Sequence, residues 1–382
     1  MKHRWRHIPP EYLLLAALLL GLAAQLSISA RPPTRRAAPS TPAAPRTVAT
    51  NNPKLGVHTR LSLWGPPDVT TRTLTMVRQM GAPWDVEYFP WLYLEPHGPG
   101  DYDWSGSDRI VDAALAQGLR PIVRIDGAPD WAHPPGTTWK YLDRDHYEAF
   151  GAFLEAFARH YRGRVDHIIV WNEPNLRAEW GDRAPDPAAY ADLLRVVYPH
   201  IKRGNPDAVV LLAGLAPNTE PPGSAVAMDD LTYLRALYDA GVAPYFDALA
   251  VHSYGTVYPP DDPPNPARVN FARTVLVEQI AAAHGDAAKP LYITESGWND
   301  NAHWVAAVRP ADRIRYTLRA MDIARDDWPW CQTIAFWEFR TDTATRSYAD
   351  NWTFVTPDFI PKPIYDEVQR HTRAEDSGLR TK

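Results

Sequence analysis

Cysteine is almost missing from this chain. Among 382 residues there is one, Cys331, so no intrachain disulfide and no cysteine-based zinc cluster can form. An excess of basic charge is missing too: the formal net charge is −5, which leaves no positive field to hold a nucleic acid. There is no Walker loop, no dinucleotide fingerprint after a strand and no His-Glu-x-x-His spacing, so no motif calls for a cofactor or a metal. With 45% hydrophobic and 22% charged residues, the composition is not that of a disordered, collagenous or coiled-coil chain.

Two residue types are abundant instead. The 38 prolines suit long, stiff, ordered loops. The 15 tryptophans can fill a core or offer flat apolar faces to a ligand such as a sugar ring.

The N-terminus is organised differently from the rest. A mostly basic stretch, 1–11, precedes the uncharged run YLLLAALLLGLAAQLSISA at 12–30. This reads as a secretory signal peptide or a short membrane anchor, and either way the body is expected to be exported. Residues 31–53, rich in Pro, Ala and Thr, read as an extended linker.

From residue 54 a new pattern repeats. Short apolar runs at 55–58, 84–89, 120–125, 165–171, 208–214, 246–252, 290–295 and 333–339 read as strands covered on both faces. Helical patterns lie between them, at 68–80, 106–117, 145–161, 187–203, 229–240, 267–284 and 310–325, with a last one at 361–371. Strand and helix alternating eight times over 54–382 predict one (β/α)8 TIM barrel, an α/β fold. A doubly wound open sheet is the competing fold. It would want a glycine-rich phosphate turn after its first strand, where this chain has GVHTR.

In such a barrel chemistry belongs at the C-terminal ends of the strands. The fourth strand ends in WNEPN (171–175) and the seventh in ITESGW (293–298), each placing a glutamate where an apolar strand enters a loop. Two carboxylates converging across the mouth are what glycoside cleavage needs, one protonated and one ionised. Either glutamate alone is equally compatible with an ion pair or a helix cap.

These two motifs resemble the acid/base and nucleophile motifs of clan A glycoside hydrolases. The segment 89–119, APDWA (128–132) and VHSYG (251–255) extend the similarity over about residues 54–371, toward family 39-like and cellulase-like (family 5-like) members. The resemblance implies Glu173 as general acid/base and Glu295 as nucleophile of a retaining mechanism. It implies a β-linked poly- or oligosaccharide as substrate and no cofactor. Asn172 is then expected to donate to the sugar 2-hydroxyl, and His252 and Tyr254 to sit beside the nucleophile. Trp337 is expected to form the floor under the sugar, and Glu338 to alternate to the opposite face of the eighth strand. Arg124, Trp131, His58 and Trp298 are expected to line the cleft, with Trp139, Trp180 and Trp304 as further sugar platforms. One departure stands out: related members often carry an arginine late in the second strand, where this chain has Val86 and Glu87. Arg124 or Arg60 is left to supply that charge. A transglycosylase sharing the covalent intermediate and a non-catalytic carbohydrate-binding barrel are the competing readings.

Overall fold

A computed structural model of the chain describes residues 46–373. The hydrophobic run 12–30, most of the linker and the last residues lie outside them. Among the described residues no helix is long and apolar enough to cross a membrane.

Eight parallel strands close into a barrel in sequence order. They are β1 (Leu55–His58), β2 (Trp84–Tyr88), β3 (Arg120–Ile125), β4 (His167–Val170), β5 (Val209–Leu212), β6 (Ala248–Tyr254), β7 (Leu291–Gly297) and β8 (Cys331–Phe336). Closure is made by β1 against β8, with Leu55 opposite Ile334 and Val57 opposite Phe336. A helix follows each strand: α1 (Pro67–Gln79), α2 (Ser105–Ala116), α3 (Tyr147–His160), α4 (Pro187–Gly204), α5 (Asp230–Asp239), α6 (Arg273–Ala283), α7 (Pro310–Asp322) and α8 (Pro363–Thr372). The predicted (β/α)8 barrel is therefore the fold.

Alternation along the strands builds two cores. Trp84, Val86, Ile122, Ile169, Leu211, Ala248, Ala250, Tyr292 and Ala335 fill the barrel interior. Their neighbours in sequence, such as Val123, Ile168 and Val210, face outward and pack with the helices. Helix starts follow local chemistry: Asp186 accepts a hydrogen bond from the Ala189 amide with Pro187 at the first position of α4, and Asp229 caps α5 through Thr232.

Two boundaries differ from the sequence reading, each for a visible reason. The helix expected from 267 begins at Arg273. The buried Arg273 guanidinium binds Asp229, Asp230 and the carbonyls of Asn218, Pro266 and Arg268, which holds the preceding segment as a loop. Residues 46–53, expected as linker, pack on the barrel: Asn52 is buried and the Asn51 amide donates to Thr372 at the end of α8.

On the outer face of β2 lies an unpartnered charge. Both carboxylate oxygens of buried Asp85 lack a hydrogen-bond partner among the described residues. Burial pushes its carboxyl up to about 7 from the ordinary 3.8. A raised carboxyl pKa binds its proton more tightly in the folded chain, so folding stability falls as pH rises from 3.8 toward 7. Asp85→Asn should raise the stability at pH 8 by on the order of 3 kcal/mol and flatten the stability profile over that window; denaturant melts across pH check it.

Candidate active site

The C-terminal ends of β3, β4, β6 and β7 bring six of the expected residues into one cluster. Arg124 projects inward from β3 because it shares parity with Ile122, an interior residue. Beyond β4 the backbone leaves strand geometry, with φ of 76° at Trp171 and 39° at Glu173. Such values are uncommon outside glycine and tend to gather at functional sites. The turn sends the Trp171 indole to the outer core, where its Nε1 donates to the Glu179 carbonyl at 2.8 Å.

On β7, simple alternation from the interior residue Tyr292 would turn Glu295 outward. A register shift prevents this: Val251 lies opposite Ile293, but His252 lies opposite Glu295. The extra residue on β7 restores Glu295 to the face of His252 and Tyr254, a use of a bulge to re-aim a side chain.

The contacts within the cluster are specific. Arg124 Nη1 donates to Asn172 Oδ1 at 2.9 Å and to Glu295 Oε1 at 3.0 Å. The Tyr254 hydroxyl donates to Glu295 Oε2 at 2.8 Å. His252 Nδ1 lies 2.7 Å from Glu173 Oε1 and 3.7 Å from Glu295 Oε2. Glu173 and Glu295 each offer a carboxylate oxygen, and these, with a His252 nitrogen, lie within 4.8 Å of one another. That spacing would also suit a cation, but the Arg124 guanidinium already supplies positive charge at Glu295.

The close approach of His252 depends on Gly214, two residues beyond β5. A Cβ there would sit 2.4 Å from the imidazole ring, closer than any packed carbon tolerates. The Gly214 carbonyl also accepts the Glu173 amide.

Burial and charge divide the cluster. Burial is the main influence that raises the Glu173 carboxyl above its ordinary value; the Glu295 charge adds to it, and His252 opposes it. Burial acts to lower the His252 imidazole, but the charges of Glu295 and Glu173 outweigh it and the pKa is raised. Tyr254 is pushed well above its ordinary range by burial and by Glu295, so it remains a donor.

The departure noted in β2 is explained by these contacts. Glu87 faces away from the barrel interior and binds the loop after β1, accepting from the Leu61 amide at 2.9 Å and from Thr59 Oγ1 at 2.6 Å. Arg124 takes the place beside the Glu295 carboxylate, and its guanidinium lies over the Tyr88 ring.

His58 and Trp337 lie at the neighbouring edge of the mouth. Their rings meet edge to face at 4.7 Å, and neither nitrogen of the buried His58 finds a partner among the described residues. One face of Trp337 is covered by the Arg60 guanidinium, 4.9 Å from the ring centroid. Glu338 corrects the expected alternation. The regular ladder of β8 ends at Phe336, and Glu338 turns to Arg60 at 2.8 Å, near enough for the Glu295 charge to raise its carboxyl alongside burial.

Trp298 does not line the cleft. It is buried, its Nε1 donates to the Tyr258 carbonyl at 2.8 Å, and its indole lies against Gly255, where any Cβ would collide with it. Trp180 is likewise buried, against Trp171 and Tyr190. Trp131 is half-buried, edge-on to Trp91, with its indole nitrogen donating to the Glu95 carbonyl. Trp139 and Trp304 remain half-exposed, the latter stacked on Tyr348.

Comparison with solved structures finds the same fold in proteins described as glycoside hydrolases. A family 39 glycoside hydrolase from the gut symbiont Bacteroides cellulosilyticus WH2 superposes with a TM-score of 0.66 at 22% identity, covering 84% of this chain and 63% of that one. A GH5_18 protein from Streptomyces cattleya, solved in complex with GlcNAc, gives 0.61 at 19% identity, covering 85% and 80%. These neighbours are glycoside hydrolases. At such identities the likeness is one of fold. Among curated sequences, Beta-glucosidase 6 of Oryza sativa subsp. japonica is 34% identical over 97 residues, 24% of this chain. The chain spans 18% of the length of the curated relatives it matches. No family model matches it.

His252 provides a test of the cluster that needs no substrate. Its imidazole should titrate above the ordinary histidine range in 15N NMR. Glu173→Gln and Glu295→Gln each remove a negative charge that favours the imidazolium, so each should lower that pKa.

Proposed function

We propose that this chain is a retaining β-glycoside hydrolase with Glu173 as general acid/base and Glu295 as nucleophile. The observation that carries the reading is the pair itself. Two glutamates from β4 and β7 come within 4.8 Å in one buried cluster, and their partners differ. Glu173 has its carboxyl raised by burial, which suits a proton donor. Glu295 accepts from Arg124 and Tyr254, two donors that hold a carboxylate in place. Retaining enzymes keep their carboxyl groups about 5–5.5 Å apart, and inverting enzymes leave room for a water between them.

The steps follow from the geometry. A Glu295 oxygen bonds to the anomeric carbon as the glycosidic C–O bond breaks, and the Glu173 proton passes to the leaving oxygen. In the second step Glu173, now ionised, takes a proton from water. The resulting hydroxide oxygen bonds to the anomeric carbon, and the Glu295 ester opens. Arg124 keeps Glu295 and Asn172 in register throughout. The Asn172 amide nitrogen has no partner among the described residues, leaving it to meet the sugar 2-hydroxyl, a contact that strengthens in the transition state.

The substrate class is a β-linked poly- or oligosaccharide, in keeping with neighbours described as an exo-beta-1,4-mannosidase and a beta-galactosidase. The uncharged run 12–30 supports export of the barrel, with the leader either cleaved or kept as an anchor.

Glu295→Gln should lower turnover of an aryl β-glycoside by on the order of 10⁴-fold or more. Proton NMR of the first sugar released should show the β-anomer. An α-anomer as first product would replace the nucleophile with a general base and overturn the retaining assignment.

A further inference from the structure

Behind Arg124 lies a second layer of buried charge that the two-carboxylate chemistry does not itself require. Lys140, in the loop between β3 and α3, is buried with its Nζ 2.7 Å from Asp126 Oδ1 and 2.7 Å from Glu179 Oε2. The Tyr88 hydroxyl donates to the same Asp126 oxygen at 2.7 Å. The other Asp126 oxygen faces Arg124 Nε at 3.4 Å. Glu179 sits on a single 3-10 turn after β4, the turn whose carbonyl holds the Trp171 indole. Lys140 therefore joins the loops after β3 and β4 directly beneath the arginine that touches Glu295 and Asn172.

The charges make this more than packing. Arg124 and Lys140 face Asp126, Glu179 and Glu295 in a space almost closed to water, where removing one partner leaves the others uncompensated. His252 touches Glu173, Glu295 lies beside it, and the charge of Glu179, on the turn that anchors the Trp171 indole, acts on it as well. Lys140 is the cation paired with Glu179. Without it, Asp126 would keep only the Tyr88 hydroxyl beside Arg124, and the Glu179 charge acting on Glu173 would be left unneutralised.

We propose that Lys140 is a positioning residue of the site: through Asp126 it fixes the Arg124 guanidinium on Glu295 and Asn172, and through Glu179 it sets the charge that Glu173 faces. The proposal rests on the reading of Glu173 as acid and Glu295 as nucleophile. It assigns the work of a missing β2 arginine to a chain of residues, Lys140–Asp126–Arg124, that begins outside the mouth.

The test uses substitutions whose effects have opposite signs. Lys140→Met unmasks the Glu179 charge, so the Glu173 proton is held more tightly and the alkaline limb of the kcat/KM–pH profile moves up. Glu179→Gln removes that charge and leaves the lysine, so the limb moves down. Displacement of Arg124 in Lys140→Met should also lower kcat by about tenfold to a hundredfold, with KM changed less. The double substitution Lys140→Met/Glu179→Gln removes one charge of each sign and should return the limb toward its wild-type position. If Lys140→Met does not fold, Glu179→Gln against the double substitution carries the same comparison. Superimposable profiles, or limbs displaced in the same direction by both single substitutions, overturn the proposal. Wild-type turnover of an aryl β-glycoside is measured first, and its absence counts against the glycosidase reading alone. In that case the Glu173 carboxyl is titrated by 13C NMR in the same variants, with the same opposite displacements expected.

Discussion

One guanidinium ties the mouth of this barrel together. Arg124 stands on β3, yet its Nη1 reaches Asn172 beyond β4 and Glu295 on β7. A planar, permanently charged fork can hold two acceptors at fixed angles, which a flexible ammonium cannot. The placement of the Glu295 carboxylate, the orientation of the Asn172 amide and the stacking on Tyr88 all follow from where that group sits. Charge that deep is stable only if it is compensated, and the ring of Asp126, Lys140 and Glu179 supplies the compensation.

Much of this was legible from residues alone. Eight covered strands alternating with helices specify a parallel barrel, and the barrel specifies where its chemistry lies. Glu173 and Glu295 stand where apolar strands end, so their positions could be read before any coordinates. Tyr254, expected there from the resemblance, shares parity with the interior residue Ala250 on one strand.

The remainder was hidden because it depends on side chains meeting from distant loops. Nothing around Lys140 or Glu179 distinguishes them from surface charges in a proline-rich loop. Trp298 lies three residues after Glu295 in sequence, but its ring fills the space left by Gly255 and packs into the loop core. Glu338 was misjudged because strict alternation was carried past Phe336, where the regular ladder of β8 ends although the Trp337 and Phe339 amides still bond to Ser296 and His58. Tryptophan placement was the weakest part of the reading: Trp180 and Trp298 both proved to be buried structural residues, since a large ring removes most apolar area from water when fully covered.

The irregular pairing between β6 and β7 has a further consequence. It makes the chemistry of the seventh strand a matter of counting as much as of residue identity. Drawing the extra residue into regular pairing would leave every functional side chain in the protein, yet return the strand to strict two-residue periodicity. The carboxylate would then swing into the layer of helices, and a complete set of parts would assemble into an inert barrel.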